Sequence, residues 1–303
     1  MKKYIKIMRL DHWIKQFFIL PGFVCAIYLG KYSYSWKLIL DLVIGLLATS
    51  LIASANYVIN EYLDAEFDKY HPVKSKRALV GEDVKGSIIW LLWFVLGTIG
   101  LLVGWFKFGK YFFFMELFLL VMGFLYNVKP FRTKDIFLLD VLSESINNAI
   151  RFMLGWFILP ITIVVPISIV LGYWMGGAFL MAIKRYAEYR MIDDKKKASL
   201  YRKSFKYYDE KNLLTSAFFY AMCSVFFIGI FLIKYRIELI IAIPFIVGLF
   251  CYYFYISFAK DSAVQKPEKL YKEKGLMIYC LMLVVLFIIL MNVRLPWLDI
   301  FYK

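Results

Sequence analysis

The chain has 303 residues, 62% of them hydrophobic and 20% aromatic, with 37 Lys and Arg against 22 Asp and Glu and a mean hydropathy of +0.67. Soluble domains are nearer one-half apolar, so this composition excludes a soluble globular chain and implies a polytopic membrane protein. The net charge of +15 is divided among loops between apolar stretches and is not gathered on one soluble face, which excludes nucleic-acid binding as its explanation.

Stretches of roughly 20 apolar residues mark membrane-spanning helices. In chain order they predict nine spans, at about 16–30, 38–62, 86–107, 111–127, 137–159, 164–186, 212–233, 237–258 and 276–294. With the N-terminus in the cytoplasm, the loops 1–15, 63–85, 128–136, 184–211 and 259–275 carry 28 Lys and Arg, and the opposite side carries 8. That split follows the positive-inside rule and predicts a cytoplasmic N-terminus with the C-terminus on the opposite side. The expected fold is all-α, a single transmembrane domain over 1–303. The chain begins Met-Lys-Lys, like a signal peptide, but no small-residue cleavage site follows the first apolar run, which is therefore expected to be retained. Cys25, Cys223, Cys251 and Cys280 lie in apolar spans without CxxC spacing and are expected to be small buried hydrophobes. His12 and His71 are too few for a His-rich metal site.

The second span ends in Asn60-Glu61-Tyr62-Leu63-Asp64-Ala65-Glu66-Phe67-Asp68. At about 100° per residue Asn60, Glu61, Asp64 and Asp68 share one arc of the helix. Converging carboxylates repel unless a cation lies between them, and their hard oxygens suit Mg²⁺, a handle for phosphate. His71-Pro72 then breaks the helix, and Lys74, Lys76 and Arg77 follow. Such a loop can close over an anionic substrate or be a plain inside-positive loop. Lys134, in the short basic loop 128–136, joins Lys74 and Arg77 as a substrate-binding candidate.

In the fifth span Asp140, Glu144, Asn147 and Arg151 lie within about 60° of one another. Each charge at a helix centre costs roughly 2.5–3.5 kcal/mol on insertion scales, so the stripe is expected to face a cavity. Asp140 and Glu144 repeat the carboxylate spacing of the first cluster, and Arg151 is placed to neutralise them. The alternative is a self-compensating network that joins helices. At the end of the sixth span, Lys184, Arg185 and Glu188 follow Gly176-Gly177, and Lys184 with Glu188 could clamp a phosphate or pyrophosphate. Lys195 to Lys197 read as a solvated face.

These residues resemble the UbiA prenyltransferase superfamily, whose acidic motif NDxxDxxxD follows the second of nine helices. Within it the likeness is greatest to the polyprenyl-phosphate phosphoribosyltransferase branch, typified by the decaprenyl-phosphate enzymes. The features that carry it are Met8-Arg9-Leu10-Asp11-His12-Trp13-Ile14-Lys15, His71-Pro72-x-Lys74-x-x-Arg77, Lys184-Arg185-x-x-Glu188 and the segment Arg202 to Tyr208. The chain departs from the pattern at Glu61, where the motif has Asp, and at Ala78, where a proline is expected. Asp140 and Glu144 are similar to the second acidic motif of ordinary prenyltransferases, whereas the phosphoribosyl branch is usually apolar at positions matching Ser143 and Glu144. The resemblance implies a helical bundle with a central cavity open to the cytoplasm, Mg²⁺ as cofactor, and metal ligands drawn from Glu61, Asp64, Asp68, Asp140 and Glu144. Asp64, Asp68, Asp140 and Glu144 would be catalytic, and Asn60, Lys74, Arg77, Lys134, Asn147, Arg151, Lys184, Arg185 and Glu188 would bind substrate. The reaction it implies moves phosphoribosyl from phosphoribosyl pyrophosphate, a soluble phosphorylated donor, to a polyprenyl phosphate. The alternative moves an isoprenoid from a prenyl diphosphate to an aromatic or lipid acceptor. An ion-coupled transporter is the reading from another class, because intramembrane charges also mark ion paths. Membrane lipids are the other expected partners, and the sequence is compatible with an oligomer.

Overall fold

The computed structural model describes residues 2–81, 84–259 and 272–298, together with Val264 and Leu270. Lys260, Lys266 and Lys269, counted above in the last cytoplasmic loop, and Lys303 lie outside the described residues. Within the described residues every regular element is helical: α1 Lys2–Ile7, α2 Leu20–Gly30, α3 Trp36–Asp68, α4 Gly86–Phe108, α5 Lys110–Asn127, α6 Leu139–Phe157, α7 Ile167–Ile192, α8 Lys195–Tyr201, α9 Glu210–Tyr235, α10 Ile243–Ser257 and α11 Lys274–Asn292. Short 3₁₀ segments join them, the longest being Leu10–Ile19 and Ile237–Ala242.

Among the described residues eight stretches are long and apolar enough to cross a membrane: Lys3–Gly30, α3, α4, α5, α7, α9, Ile237–Ser257 and α11. The remaining expected span, the fifth at 137–159, is α6, a helix of 19 residues that carries Asp140, Glu144 and Arg151. Three charges in so short a helix set it apart from the other eight. The sixth span runs further than expected, to Ile192, so Lys184, Arg185 and Glu188 lie inside a helix. Between a sixth and one-half of each apolar window is buried within the protein, the rest being outward-facing apolar surface. The cysteines share that surface: Cys251 is exposed and Cys25, Cys223 and Cys280 are half-buried, which corrects the expectation that all four are buried. A small side chain is no obstacle on a face that meets lipid.

The chain divides into two compact units, Met1–Val165 with Ile192–Tyr208, and Pro166–Met191 with Asp209–Lys303. In the first, α3 begins at Ser35, whose hydroxyl accepts the Leu38 N–H at 3.3 Å as an N-cap. Gly109, at φ 88°, ends α4 and opens α5; that left-handed backbone admits glycine and few other residues. α2 and α6 touch through glycines, since a Cβ on Gly22 would meet the Phe152 carbonyl oxygen at 1.8 Å and one on Gly155 the Ile19 oxygen at 2.0 Å. Close approach of this kind is how membrane helices gain packing energy when lipid supplies no hydrophobic drive. In the second unit Ser224 on α9 donates to the Gly172 carbonyl of α7 at 2.8 Å, and Asp209 caps α9 by accepting the Asn212 N–H at 2.7 Å.

Candidate active site

The last three turns of α3 present the first acidic motif, in which Glu61, Asp64 and Asp68 are each paired with basic side chains. Glu61 accepts from Arg9 Nε at 2.6 Å, with Arg77 Nε at 3.7 Å, and its Oε2 is buried with no hydrogen-bond partner among the described residues. Asp64 Oδ1 is shared by Arg132, at 3.0 Å, and Lys134, and its Oδ2 accepts from Asn60 Nδ2 at 2.9 Å. Asp68 is paired with Arg77. The expected convergence of three carboxylates is not found: among the described residues no three of His, Cys, Asp and Glu form a metal-binding group. Long basic side chains from flanking segments neutralise the three acids, Arg77 reaching both Glu61 and Asp68.

Those cations come from three segments. Arg9 stands at φ 50° before the 3₁₀ segment Leu10–Ile19, which Trp13 fastens to α3 by donating to Ser54 Oγ at 2.9 Å, while Ser54 donates to the Met8 carbonyl at 2.9 Å. Arg132, at φ 29°, donates to the Asn127 carbonyl at 3.0 Å and to Asp135 at 3.1 Å, and lies over the Phe67 ring at 4.7 Å. Lys134 also donates to Asn127 Oδ1 at 2.7 Å, and Asn127 Oδ1 in turn takes Asn60 Nδ2 at 2.7 Å. Burial lowers the Lys134 ammonium to about 8; Asp64 opposes that fall, and Arg132 and Arg202 add to it. Burial pulls the Arg77 guanidinium down as well, but Asp68 and Glu61 more than offset it and hold it above its ordinary value.

Asp64, Asp68, Arg132, Lys134, Asp135, Tyr201 and Arg202 line a small polar cleft in which acidic and basic side chains face one another. Tyr201, at the end of α8, takes the Lys74 ammonium on its hydroxyl, and its ring lies 4.6 Å from that of His71. His71 Nδ1 accepts the Val73 and Lys74 N–H groups, both at 3.1 Å, which fixes the turn that carries Lys74.

The stripe on α6 divides. Asp140 is fully buried and accepts from Tyr208 at 2.6 Å, Ser204 at 3.2 Å and Arg202 at 3.2 Å, all from the segment after α8. Glu144 accepts from Tyr126 on α5 at 2.8 Å. Arg151 donates to Gln16 at 2.8 Å and to the Asn147 carbonyl at 3.2 Å. Asp140 therefore organises the segment 202–208 and reaches the cleft through Arg202. In the second unit Arg185, fully buried, pairs with Glu188 at 3.0 Å.

Arg9, Asn127, Arg132, Asp135, Tyr201, Arg202 and Tyr208 are partners that sequence reasoning did not place in the site. The segment from Arg202 to Tyr208 was a signal, but its target, Asp140, was not legible. The oxygen donors fit Mg²⁺, which is usually held by one or two carboxylates together with ligand phosphates and water. Asp64 and Asp68 face the cleft one turn apart, and the buried Glu61 Oε2 is a third oxygen without a partner nearby on the same helix.

The profile of the UbiA prenyltransferase family matches residues 18–283. A decaprenyl-phosphate phosphoribosyltransferase from Mycolicibacterium smegmatis is 26% identical over 69% of this chain and 63% of its own length. One from Mycobacterium tuberculosis is 25% identical over 67% of this chain and 65% of its own. The chain thus spans a little under two-thirds of the length of these relatives. Among solved structures, a UbiA homolog from Archaeoglobus fulgidus bound to GPP and Mg²⁺ superimposes with a TM-score of 0.70 at 22% identity, over 96% of this chain and all of the other. The same homolog bound to Cd²⁺ gives 0.66 at 21% identity, over 95% and 99%.

Proposed function

The chain belongs to the UbiA prenyltransferase family, a membrane-embedded transferase, and we propose that it moves phosphoribosyl from phosphoribosyl pyrophosphate to a polyprenyl phosphate in a Mg²⁺-dependent reaction. The observation that carries this reading is the cleft in which Asp64 and Asp68 stand among Arg132, Lys134 and Arg202. Such a site is built for a diphosphate whose charge is divided between metal and basic side chains. The names of the mycobacterial relatives favour the ribosyl donor. Asp140, already saturated by Tyr208, Ser204 and Arg202, supports a single diphosphate site over two symmetric acidic rows.

Asp64 and Asp68, with Glu61 behind them, would hold Mg²⁺, which would supply charge stabilisation on the departing pyrophosphate. Arg132 and Lys134 release Asp64 to the incoming donor and turn their N–H groups to its phosphate oxygens. Arg202, anchored by Asp140, holds the diphosphate from the opposite wall, and Lys74 on Tyr201 closes over it. The C1–O bond of the ribose breaks as its carbon becomes oxocarbenium-like, and an oxygen of the lipid phosphate forms the new bond. The acceptor is already anionic, so no general base is required. We place the cleft on the cytoplasmic side, with the N-terminus there and nine crossings, on the strength of the charge split.

The test offers the purified protein labelled phosphoribosyl pyrophosphate with polyprenyl phosphate, and separately labelled prenyl diphosphate with aromatic and lipid acceptors, each with and without Mg²⁺. Ribose label entering the lipid phase only with Mg²⁺ is the expected result. Prenyl label on an acceptor, with no ribose in lipid, replaces the reading with isoprenoid transfer.

A further inference from the structure

Glu116 is the most unusual residue outside the cleft. It lies in the second turn of α5, fully buried, and among the described residues neither carboxyl oxygen has a hydrogen-bond partner. Gly104 of α4 makes its niche: a Cβ there would fall 2.1 Å from Glu116 Oε2 and 3.1 Å from the Phe112 ring. Two contacts fix the register of α3 against α5. Asn60 meets Asn127, 67 residues on, and a Cβ on Gly123 would strike Asn56, at the same offset. That register places Thr49 level with Glu116. Thr49 is also fully buried, and neither its hydroxyl nor the Oδ1 atom of half-buried Asn56 has a hydrogen-bond partner among the described residues.

On α3 the positions 49, 56 and 60, and on α5 the positions 116, 123 and 127, are each spaced by seven and four, so each set forms one stripe of its helix. The two stripes face one another. At one end they are closed by hydrogen bonds, where Asn60 and Asn127 reach Asp64 and Lys134. Further along, three side chains carry polar atoms that have no hydrogen-bond partner among the described residues. Buried polar groups are satisfied with few exceptions, whereas an apolar hole stays dry, so a polar recess of this kind takes up water.

We propose that the seam between α3, α4 and α5 is a water-binding recess centred on Thr49 and Glu116, running into the membrane-spanning part of the protein from behind Asp64 and Lys134. Its ligand is water, held by the Glu116 carboxyl, the Thr49 hydroxyl and Asn56 Oδ1. The clasp of Asn60, Asn127 and Lys134 separates this water from the cleft.

Radiolytic hydroxyl-radical labelling of the intact protein in nanodiscs tests the proposal, since radicals form where water is. Phe112 and Phe152 are both fully buried, but only Phe112 borders the Glu116 niche. The expected result is oxidation of Phe112 on the order of tenfold faster than Phe152. In Glu116→Leu, checked for folding by retained transferase activity, Phe112 should slow to the rate of Phe152. Equal slow labelling of the two rings in the unaltered protein overturns the proposal, a comparison that needs no variant to fold. Unchanged fast labelling of Phe112 in a folded Glu116→Leu variant overturns the role of Glu116 as its centre.

Discussion

At the scale of single residues, four carboxylates that look alike in sequence have different work. Asp64 and Asp68 face the cleft, Asp140 is enclosed by three donors, and Glu144 has the Tyr126 hydroxyl. Asp64→Asn and Asp68→Asn should therefore each lower kcat by at least about a hundredfold, because they remove charge that acts on the transition state. Steady-state kinetics with excess Mg²⁺ measures this, and full activity in excess chelator would contradict it. Asp140→Asn should act first on folding: it leaves Arg202 without its buried counter-charge, a loss of about 3–5 kcal/mol for a broken buried pair. Thermal unfolding reads that loss directly. Glu144→Gln should cost less activity than Asp64→Asn; if it abolishes turnover outright, with no rescue by Arg151→Gln, two acidic rows are at work and the phosphoribosyl reading fails.

The acidic half of the site was legible because 3.6-residue periodicity places Asn60, Asp64 and Asp68 on one face whatever surrounds them. The basic half was not. Arg9, Arg132 and Arg202 come from three separate segments, and the positive-inside rule makes every cytoplasmic loop basic, so nothing in the sequence separates a ligand-binding Arg from a topological one. Arg132 reaches Asp64 from a left-handed backbone, a conformation for which Arg carries no signal.

At the scale of elements, apolar length recovers the spans to within a few residues, since lipid imposes a length that soluble folds do not. Two segments are less uniformly apolar for the same reason. The 3₁₀ segment Leu10–Ile19 and the helix α6 both carry polar side chains inward, so neither has the uniform apolar surface of a lipid-facing helix. Instead α6 is held by close backbone contact with α2 at Gly22 and Gly155. Gly22→Ala should force these helices apart, with overpacking costs of about 1–3 kcal/mol or more because the obstacle is a backbone carbonyl that cannot rotate away. A lower unfolding temperature with an unchanged KM in the surviving protein is the expected signature. Gly81→Ala is the control for space: nothing lies within 4 Å of its Cβ position, although its φ of 78° carries a strain of its own.

At the scale of the whole molecule, the parity of crossings rests on α6. Its 19 residues are long enough to cross the hydrocarbon, but its three charges are costly there unless proteinaceous neighbours enclose them, as Tyr208, Ser204, Tyr126 and Gln16 do. If α6 crosses, the basic segments before α4, before α6 and after α7 share one side. If it does not, everything after it is inverted, and the loop carrying Lys195, Lys196 and Lys197 faces away from the loop carrying Lys74. Single cysteines at positions 74, 134, 196 and 107, in a chain lacking Cys25, Cys223, Cys251 and Cys280, decide the matter with a membrane-impermeant thiol reagent on oriented vesicles. The charge split predicts that 74, 134 and 196 react from the cytoplasmic face and 107 from the other. Reaction of 196 on the side opposite to 74 would show that α6 turns back within the membrane. Reaction of 74 from the outer face would reverse the whole orientation and with it the access of a soluble diphosphate donor to Asp64 and Asp68.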